Sequence, residues 1–472
     1  MDNKEARFER KLSPLNVWAL ALGCIIGWGA FVMPGDTFLA NAGPAGTAIA
    51  MLIAVIILSI IACNYNYMIQ RYPVAGGEFV YAKQAFGGNH GFICAWFLSL
   101  AYLAIVPLNA TALALIGRNL LGGIFQVGFH YEVAGYDVYL GEILLAVAAL
   151  ALFAFLSIRG VKFSGVFQTI LVFALVGGVG IVAIAALVNS DATLDNLVPA
   201  FAPDVAPMAG ILAVVAVAPW AFVGFDTVPQ AAEEFKFSAS KTKFIMICSI
   251  LFGAAVYVIL SLITASVVPE GYSNWSEYIA ATGGLSGIAS LPTFNAAYIL
   301  LGDAGLVFLG IAVCGAILSG IVGFYMAASR LLFSLARESV LPQWFAKIHP
   351  KYKTPVNAII FVMLISFIAP FFGRTALGWI VDMSSLGAAI GFGYTSFAAL
   401  KFAIQDKRPT IIASGIIGGI LAIVFAILLL VPLPGLNCSL GFESYVCLVI
   451  WAVLGATFYA KAKSNNKLRA DG

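Results

Sequence analysis

The segment GCIIGWGAFVMPG, residues 23–35, is apolar enough to lie in a membrane but poorly suited to forming one continuous helix. In a helix interior, glycine costs about 1 kcal/mol and proline about 3 kcal/mol relative to alanine. Here Gly29 precedes Pro34 by five residues, and the segment GFDTVP repeats this spacing from Gly224 to Pro229. The sequence therefore predicts two apolar helices that are interrupted at corresponding positions.

The composition of the whole chain predicts a membrane protein. Of its 472 residues, 62% are hydrophobic and 10% are charged, whereas soluble proteins carry about 25% charged residues. A surface with so few charges needs lipid as its main solvent. The formal net charge of +3 provides no basic footprint for nucleic acid. We expect the partners to be the lipid bilayer and a small molecule, with no nucleic acid.

Twelve segments approach or exceed the length of about 20 mostly apolar residues that a membrane span needs. Backbone groups in lipid must be hydrogen-bonded internally, so these segments are predicted to be helices and the fold class to be all-α. The predicted spans are 15–40, 44–70, 91–117, 141–158, 165–188, 206–232, 244–268, 304–329, 355–373, 376–401, 409–431 and 440–460.

The distribution of lysine and arginine predicts the orientation, because short cytoplasmic loops carry an excess of both. With a cytoplasmic N-terminus, 23 of the 25 Lys and Arg residues fall on the cytoplasmic side, and only Arg118 and Arg374 fall outside. We therefore expect a multi-pass protein of the cell (inner or plasma) membrane with both termini in the cytoplasm.

The second interrupted helix is the sixth span, five spans after the first. An odd offset inverts the second unit in the membrane, which predicts two inverted repeats of five spans within one transmembrane domain, residues 1–472. The predicted parts are a cytoplasmic leader at 1–14, repeats at 15–190 and 205–402, two accessory helices at 409–461 and a cytoplasmic tail at 462–472.

Paired interruptions of this kind indicate a binding site near the middle of the bilayer. An unwound segment frees N–H groups that favour a carboxylate and carbonyl groups that suit an ammonium group. Two facing interruptions would therefore bind a zwitterion through the backbone. The alternative is that glycine serves close helix packing, since the chain contains 47 glycines.

Five blocks of sequence resemble the amino acid–polyamine–organocation (APC) superfamily of permeases. They occur in the order found in that family and extend from the first predicted span to the ninth. The blocks are GCIIGWGAFVMPG (23–35), AGPAG (42–46), RYPVAGGEFVYAKQAFG (71–87), FVGFDTVPQAAEE (222–234) and ASRLLFSLARESVLPQWFAKIHPKYKTP (328–355).

The resemblance implies the leucine-transporter fold, with twelve helices in a five-plus-five inverted repeat and helices 1 and 6 broken. It also implies transport driven by protons, sodium or exchange. Five residues at each break are implied to bind the substrate, the first five around its carboxylate and the second five around its amino group. They are Ile25, Ile26, Gly27, Trp28 and Gly29, and Trp220, Ala221, Phe222, Val223 and Gly224.

Three positions depart from the family pattern, and one of them is Tyr67, where the family has an acidic residue near the end of its second span. Trp28 lies where many relatives have serine or threonine, and an indole cannot replace that hydroxyl. We expect Trp28 either to narrow the site or to face away from it. The predicted fifth span has Ala174 near the position where some proton-coupled relatives have lysine, which argues against a lysine-based proton mechanism.

Three polar residues in the predicted spans are candidates for coupling or gating, because polar groups at membrane depth are costly. Asp226 would take a proton, face an amine or hydrogen-bond across its own break. Asp382 would either couple transport or be solvated near the outer end of its span, and Ser319 would either bind a coupling sodium ion or pack. Glu78, Glu233 and Glu234 are predicted to form ion pairs near the cytoplasmic side, with Arg330 as a partner.

We therefore expect a secondary active transporter that moves amino acids by alternating access. The alternatives are a polyamine or amine carrier and an amino acid/amine exchanger. The sequence has no GxxxxGK[ST] loop, metal-ligand cluster or catalytic triad pattern, so we expect neither an enzyme nor a primary pump. No cofactor is expected apart from a coupling proton or sodium ion.

Overall fold

The computed structural model describes residues 8–433 and 438–464. Residues 1–7 of the predicted leader 1–14 and residues 465–472 of the predicted tail 462–472 therefore lie outside the described residues. Within the described residues, the regular secondary structure is helical apart from one short hairpin. The helices are α1 Pro14–Ile25, α2 Gly29–Met33, α3 Ala40–Arg71, α4 Glu78–Phe86, α5 Gly88–Leu120, α6 Leu140–Ile158, α7 Val161–Val188, α8 Pro207–Ala216, α9 Ala218–Ala221, α10 Thr242–Ser266, α11 Trp275–Ala281, α12 Pro292–Leu301, α13 Asp303–Arg337, α14 Val356–Ser366, α15 Gly373–Gln405, α16 Pro409–Leu430 and α17 Phe442–Ser464.

Nine helical segments of the described chain are long and apolar enough to cross a membrane. The count is lower than the twelve predicted spans for two structural reasons. The first and sixth predicted spans are interrupted, which leaves α1 and α8 as shorter apolar helices. The ninth and tenth correspond to α14 and α15, which follow each other across the short 3-10 turn Ala369–Phe372 and count as one of the nine segments. The protein is thus an all-helical, multi-pass membrane protein, and the twelve-helix inverted repeat stays a prediction.

The first interruption lies where the glycine-rich segment predicts it. Helix α1 begins at a capping box formed by Ser13 and Asn16 and ends at Ile25. After three irregular residues, α2 begins at Gly29 and continues into a π-helical turn, Pro34–Leu39. The π turn begins at the proline, which cannot donate a helical hydrogen bond.

The second interruption is more extensive than predicted. Helix α9 ends at Ala221, and Gly224 has a φ of 149°, a conformation that only glycine adopts without strain. Two 3-10 turns follow, Phe225–Thr227 and Pro229–Glu234. The span predicted over 206–232 is therefore interrupted as expected, and its second half forms 3-10 turns rather than an α-helix.

Helix packing brings the two interruptions together. Helix α1 packs against α7, α10 and α13, and it also contacts the 3-10 turn that follows Gly224. Helix α5 packs against α13 and α15. The sequence analysis did not predict the antiparallel hairpin between α5 and α6, whose strands are β1 His130–Val133 and β2 Tyr136–Tyr139.

Ion pairs hold the end of the second interrupted segment against α13. Glu234 and Arg330 form a pair at 2.8 Å whose side chains are only 1% and 2% exposed. Beside it, Glu233 pairs with Arg337 at 2.7 Å, with side chains 14% and 35% exposed. These contacts confirm the predicted pairing of Arg330 with one of the glutamates.

We expect Arg330→Met to lower the free energy of unfolding by about 3–5 kcal/mol, because it leaves the Glu234 carboxylate buried without a partner. The matched control is Arg337→Met, which should cost about 0–1 kcal/mol because water reaches and screens the Glu233 pair. Thermal unfolding of the purified variants in detergent measures both effects. Equal losses of stability in the two variants would contradict this assignment.

Candidate substrate site

The first break exposes three consecutive backbone donors. The N–H groups of Gly27, Trp28 and Gly29 donate to no acceptor in the described part of the chain. Helical bonding resumes with Ala30, whose N–H donates to the Gly27 carbonyl at 3.2 Å. Because an unpaired N–H group is costly in a membrane interior, these donors require water or a ligand as a partner.

The second break presents carbonyl groups near the first. The hydroxyl of Tyr257, on α10, lies 3.0 Å from the carbonyl oxygen of Ala221 and 3.3 Å from that of Ile25. Both carbonyls belong to the last residue of a helix, α9 and α1 respectively. Tyr257 therefore holds together the two helix ends that flank the breaks.

Gly224 allows the two breaks to touch. A Cβ atom at this position would lie 2.5 Å from the Ile25 backbone nitrogen and 2.7 Å from the Cys24 carbonyl carbon. Both contacts are with backbone, so a methyl group could be accommodated only by separating the two segments. The glycine is therefore required by close approach as well as by its positive φ.

A cavity of about 70 Å³ lies between the breaks, α5, α10 and the start of α15. Its wall is mostly apolar, with a few polar groups that converge from different helices. The lining residues are Cys24, Ile25, Gly27, Trp28, Gly29, Ile105, Leu108, Asn109, Trp220, Ala221, Val223, Tyr257 and Arg374.

Seven of the ten predicted binding residues line this cavity, and the structure brings the two groups of five together there. Trp28 faces the cavity and stacks on Phe294 at a centroid distance of 6.3 Å. Three predicted residues do not line it: Ile26, Phe222 and Gly224. Phe222 is fully buried behind the cavity and packs against Tyr257 at 5.8 Å, while Gly224 faces the α1 backbone.

The sequence analysis missed six lining residues, of which three are polar. Asn109 and Tyr257 are polar residues within apolar spans and could have been selected on that basis. The predicted spans 355–373 and 376–401 place Arg374 in the loop between them, outside the membrane, yet it lies in the first turn of α15 and reaches the cavity. The others are Cys24, Ile105 and Leu108.

Asp226 stabilises the second break and lies outside the cavity lining. Its carboxylate is fully buried and accepts hydrogen bonds from the Gly224 N–H at 2.6 Å and from the Tyr102 hydroxyl at 3.0 Å. Glu78 is buried close by and accepts hydrogen bonds from Tyr65 at 3.0 Å and from Gln230 at 2.8 Å. Glu78 thus has tyrosine and glutamine partners instead of the basic partner predicted for it.

Ser319 and Asp382 also lie outside the cavity lining. The Ser319 hydroxyl is 3.0 Å from the Gly23 carbonyl oxygen and 2.9 Å from that of Ala316, so it joins α13 to α1 just before the first break. The Asp382 carboxylate lies 3.5 Å from the Ser444 hydroxyl of α17. Their predicted coupling roles are not tested by these contacts and stay predictions.

Comparison with known protein families identifies the chain. The family model described as amino acid permease matches residues 12–454. The chain belongs to the amino acid permease family. It is thus a permease of the APC superfamily rather than an enzyme, as the sequence motifs predicted.

Relatives of this permease carry substrates of different kinds. The methylthioribose transporter of Bacillus subtilis (strain 168) is 26% identical over 97% of this chain and 94% of its own length. The branched-chain amino acid permease BcaP of the same organism is 26% identical, over 96% and 93%. The vacuolar cationic amino acid transporter 4 of Arabidopsis thaliana is 26% identical, over 85% and 64%. Family membership therefore leaves the substrate class open.

We expect Tyr257→Phe to reduce the apparent affinity of this permease for its transported substrate by about 10-fold to 100-fold, because two carbonyl groups beside the cavity lose their hydroxyl partner. The matched control is Tyr325→Phe, which removes a buried hydroxyl bonded to the Leu150 carbonyl away from the cavity. Concentration-dependent uptake into proteoliposomes measures both variants. An unchanged affinity in Tyr257→Phe would contradict the assignment.

Gly224→Ala should abolish uptake, because the added methyl group must push apart the two backbones that form the site. The control is Gly177→Ala on α7, where a Cβ atom meets nothing within 4 Å and transport should be unchanged. Size-exclusion chromatography shows whether each variant is folded. A folded Gly224→Ala protein with normal uptake would refute the requirement for close approach.

Proposed function

We propose that this permease is a secondary active transporter that moves amino acids across the cell membrane by alternating access. The cavity between the two breaks is its substrate site. The observation that carries the proposal is the set of three free N–H groups at Gly27, Trp28 and Gly29, all of which belong to residues lining that cavity. Backbone donors preorganised in a dry site bind an anionic group without reorganisation.

The chemistry of the two breaks suits the two ends of an amino acid. The α-carboxylate accepts hydrogen bonds from the N–H groups of the first break, which are stronger when the acceptor is charged. The α-ammonium group lies toward the carbonyls of Ile25 and Ala221, next to the Tyr257 hydroxyl. The apolar wall, which includes Ile105 and Val223, surrounds the substrate side chain.

Alternating access requires a barrier on each side of the site. We assign the N- and C-termini to the cytoplasm from the lysine and arginine distribution. The Glu234–Arg330 and Glu233–Arg337 pairs then lie on the cytoplasmic side and act as an inner gate. The five-plus-five inverted repeat with twelve helices is the architecture we propose for the movement, with Asp226, Asp382 and Ser319 as coupling or gating candidates and a proton or sodium gradient as its driving force.

The second candidate is a carrier or exchanger of amines or polyamines. One relative is named a cationic amino acid transporter, and its substrates share with putrescine a positive charge beyond that of the α-ammonium group. Against it, the residues lining the cavity include no carboxylate, whereas a substrate with several ammonium groups needs opposite charges when it leaves water. An amino acid therefore fits the site better.

Uptake into proteoliposomes tests the proposal. Purified protein is supplied with radiolabelled neutral, acidic and cationic amino acids and with putrescine, under an imposed proton gradient, a sodium gradient or neither. We expect saturable uptake of at least one amino acid, accelerated by one gradient, and counterflow when unlabelled amino acid is preloaded. Protein-free liposomes are the control. Saturable uptake of putrescine alone would support the second candidate, and no saturable uptake of any amino acid would refute the first.

A further inference from the structure

The charge of the cavity lining is positive. Among the residues that form this wall, Arg374 is the one with a charged side chain. The buried carboxylates of Asp226 and Glu78 belong to a separate hydrogen-bonded cluster with Tyr102, Tyr65 and Gln230. A substrate in the cavity therefore meets a guanidinium group and no carboxylate.

Arg374 has no ion-pair partner in the described part of the chain. One nitrogen, Nη1, donates to the Leu108 carbonyl at 3.2 Å and the Thr111 hydroxyl at 3.3 Å. The side chain is half-buried, and a guanidinium group has five donors, so most of its donors have no protein acceptor among those residues. Arg374 is thus a cation whose charge remains available to whatever occupies the cavity.

The acidic side chain that lines a cavity together with Arg374 does not neutralise it. Glu142 and Arg374 line a neighbouring small cavity, but both carboxylate oxygens of Glu142 accept hydrogen bonds from Arg118. The remaining partners of Arg374 are a neutral carbonyl and a neutral hydroxyl. The group formed by Arg118, Glu142 and Arg374 therefore carries one net positive charge beside the substrate cavity.

We propose that Arg374 is a specificity-determining residue that makes this permease reject amino acids carrying a second cationic group. The inference rests on the proposed function and narrows it to neutral and acidic amino acids. Such substrates bring a carboxylate near the guanidinium group without a second ammonium group, whereas the side-chain ammonium of a cationic amino acid would be repelled in a largely desolvated site.

Two pairs of amino acids isolate the effect of one charge. Norleucine is lysine without its ε-ammonium group, and 2-aminobutyrate is 2,4-diaminobutyrate without its γ-ammonium group. We expect the wild-type protein in proteoliposomes to prefer at least one neutral member over its cationic partner by on the order of 100-fold. For each amino acid, the initial uptake rate is divided by the substrate concentration, and the preference is the ratio of the two values.

Substitutions then test whether Arg374 causes the preference. Arg374→Met should reduce that ratio to below about 10-fold by admitting the cationic member, while Arg374→Lys, which keeps the charge, should preserve it. Lys236→Met, at an exposed position away from the cavity, controls for the loss of one positive charge and should behave like wild type.

The outcomes separate this inference from the proposed function. Equal uptake of both members of each pair by the wild-type protein would overturn the role of Arg374 and leave amino acid transport intact. A preference that survives in a folded Arg374→Met protein would overturn it too. Failure of the wild-type protein to take up any amino acid would overturn the proposed function, and the inference with it.

Discussion

The contact between the backbones of Gly224 and Ile25 is the constraint on which the site depends. Two helices can end inside a membrane only if the backbone groups they release find other partners. Here the contact sets the helix ends side by side, so that one hydroxyl, from Tyr257, reaches the terminal carbonyl of each. Asp226 adds an acceptor for the Gly224 N–H. The N–H groups of residues 27–29 have no acceptor in the described part of the chain, and these residues line the cavity between the two breaks.

The surroundings of the breaks divide into a hydrogen-bonded side and a side that faces the cavity. Behind the second break, Asp226, Tyr102 and Glu78 form buried hydrogen bonds, and Arg330 secures the following segment to α13. Toward the cavity, Arg374 and the N–H groups of residues 27–29 retain donors that have no acceptor among the residues the structure describes. Buried hydrogen bonds thus support the second break, while the side facing the cavity keeps a positive, hydrogen-bonding surface that would suit the carboxylate of the proposed substrate.

Much of this arrangement could be predicted from the sequence, because its main signals are local. Apolar runs predict spans, and closely spaced glycine and proline predict where helices stop. Cavity-lining residues next to a break in sequence, such as Trp28 and Val223, whose role in binding stays a prediction, were implied by the family resemblance. Asn109, Tyr257 and Arg374 were not, because their contribution depends on how distant helices pack. The conformation of Gly224 likewise arises from a tertiary contact, so its position facing α1 could not be read from its neighbours in the chain.

Amide hydrogen–deuterium exchange of the protein in nanodiscs tests the central claim most directly. Peptides covering residues 23–35 are compared with peptides from the uninterrupted helix α10, with and without a transported amino acid. The amides of residues 27–29 should exchange fast without substrate and become protected when it binds, while α10 should be protected throughout. Protection of residues 27–29 equal to that of α10 in the absence of substrate would mean that the first break does not exist in the membrane.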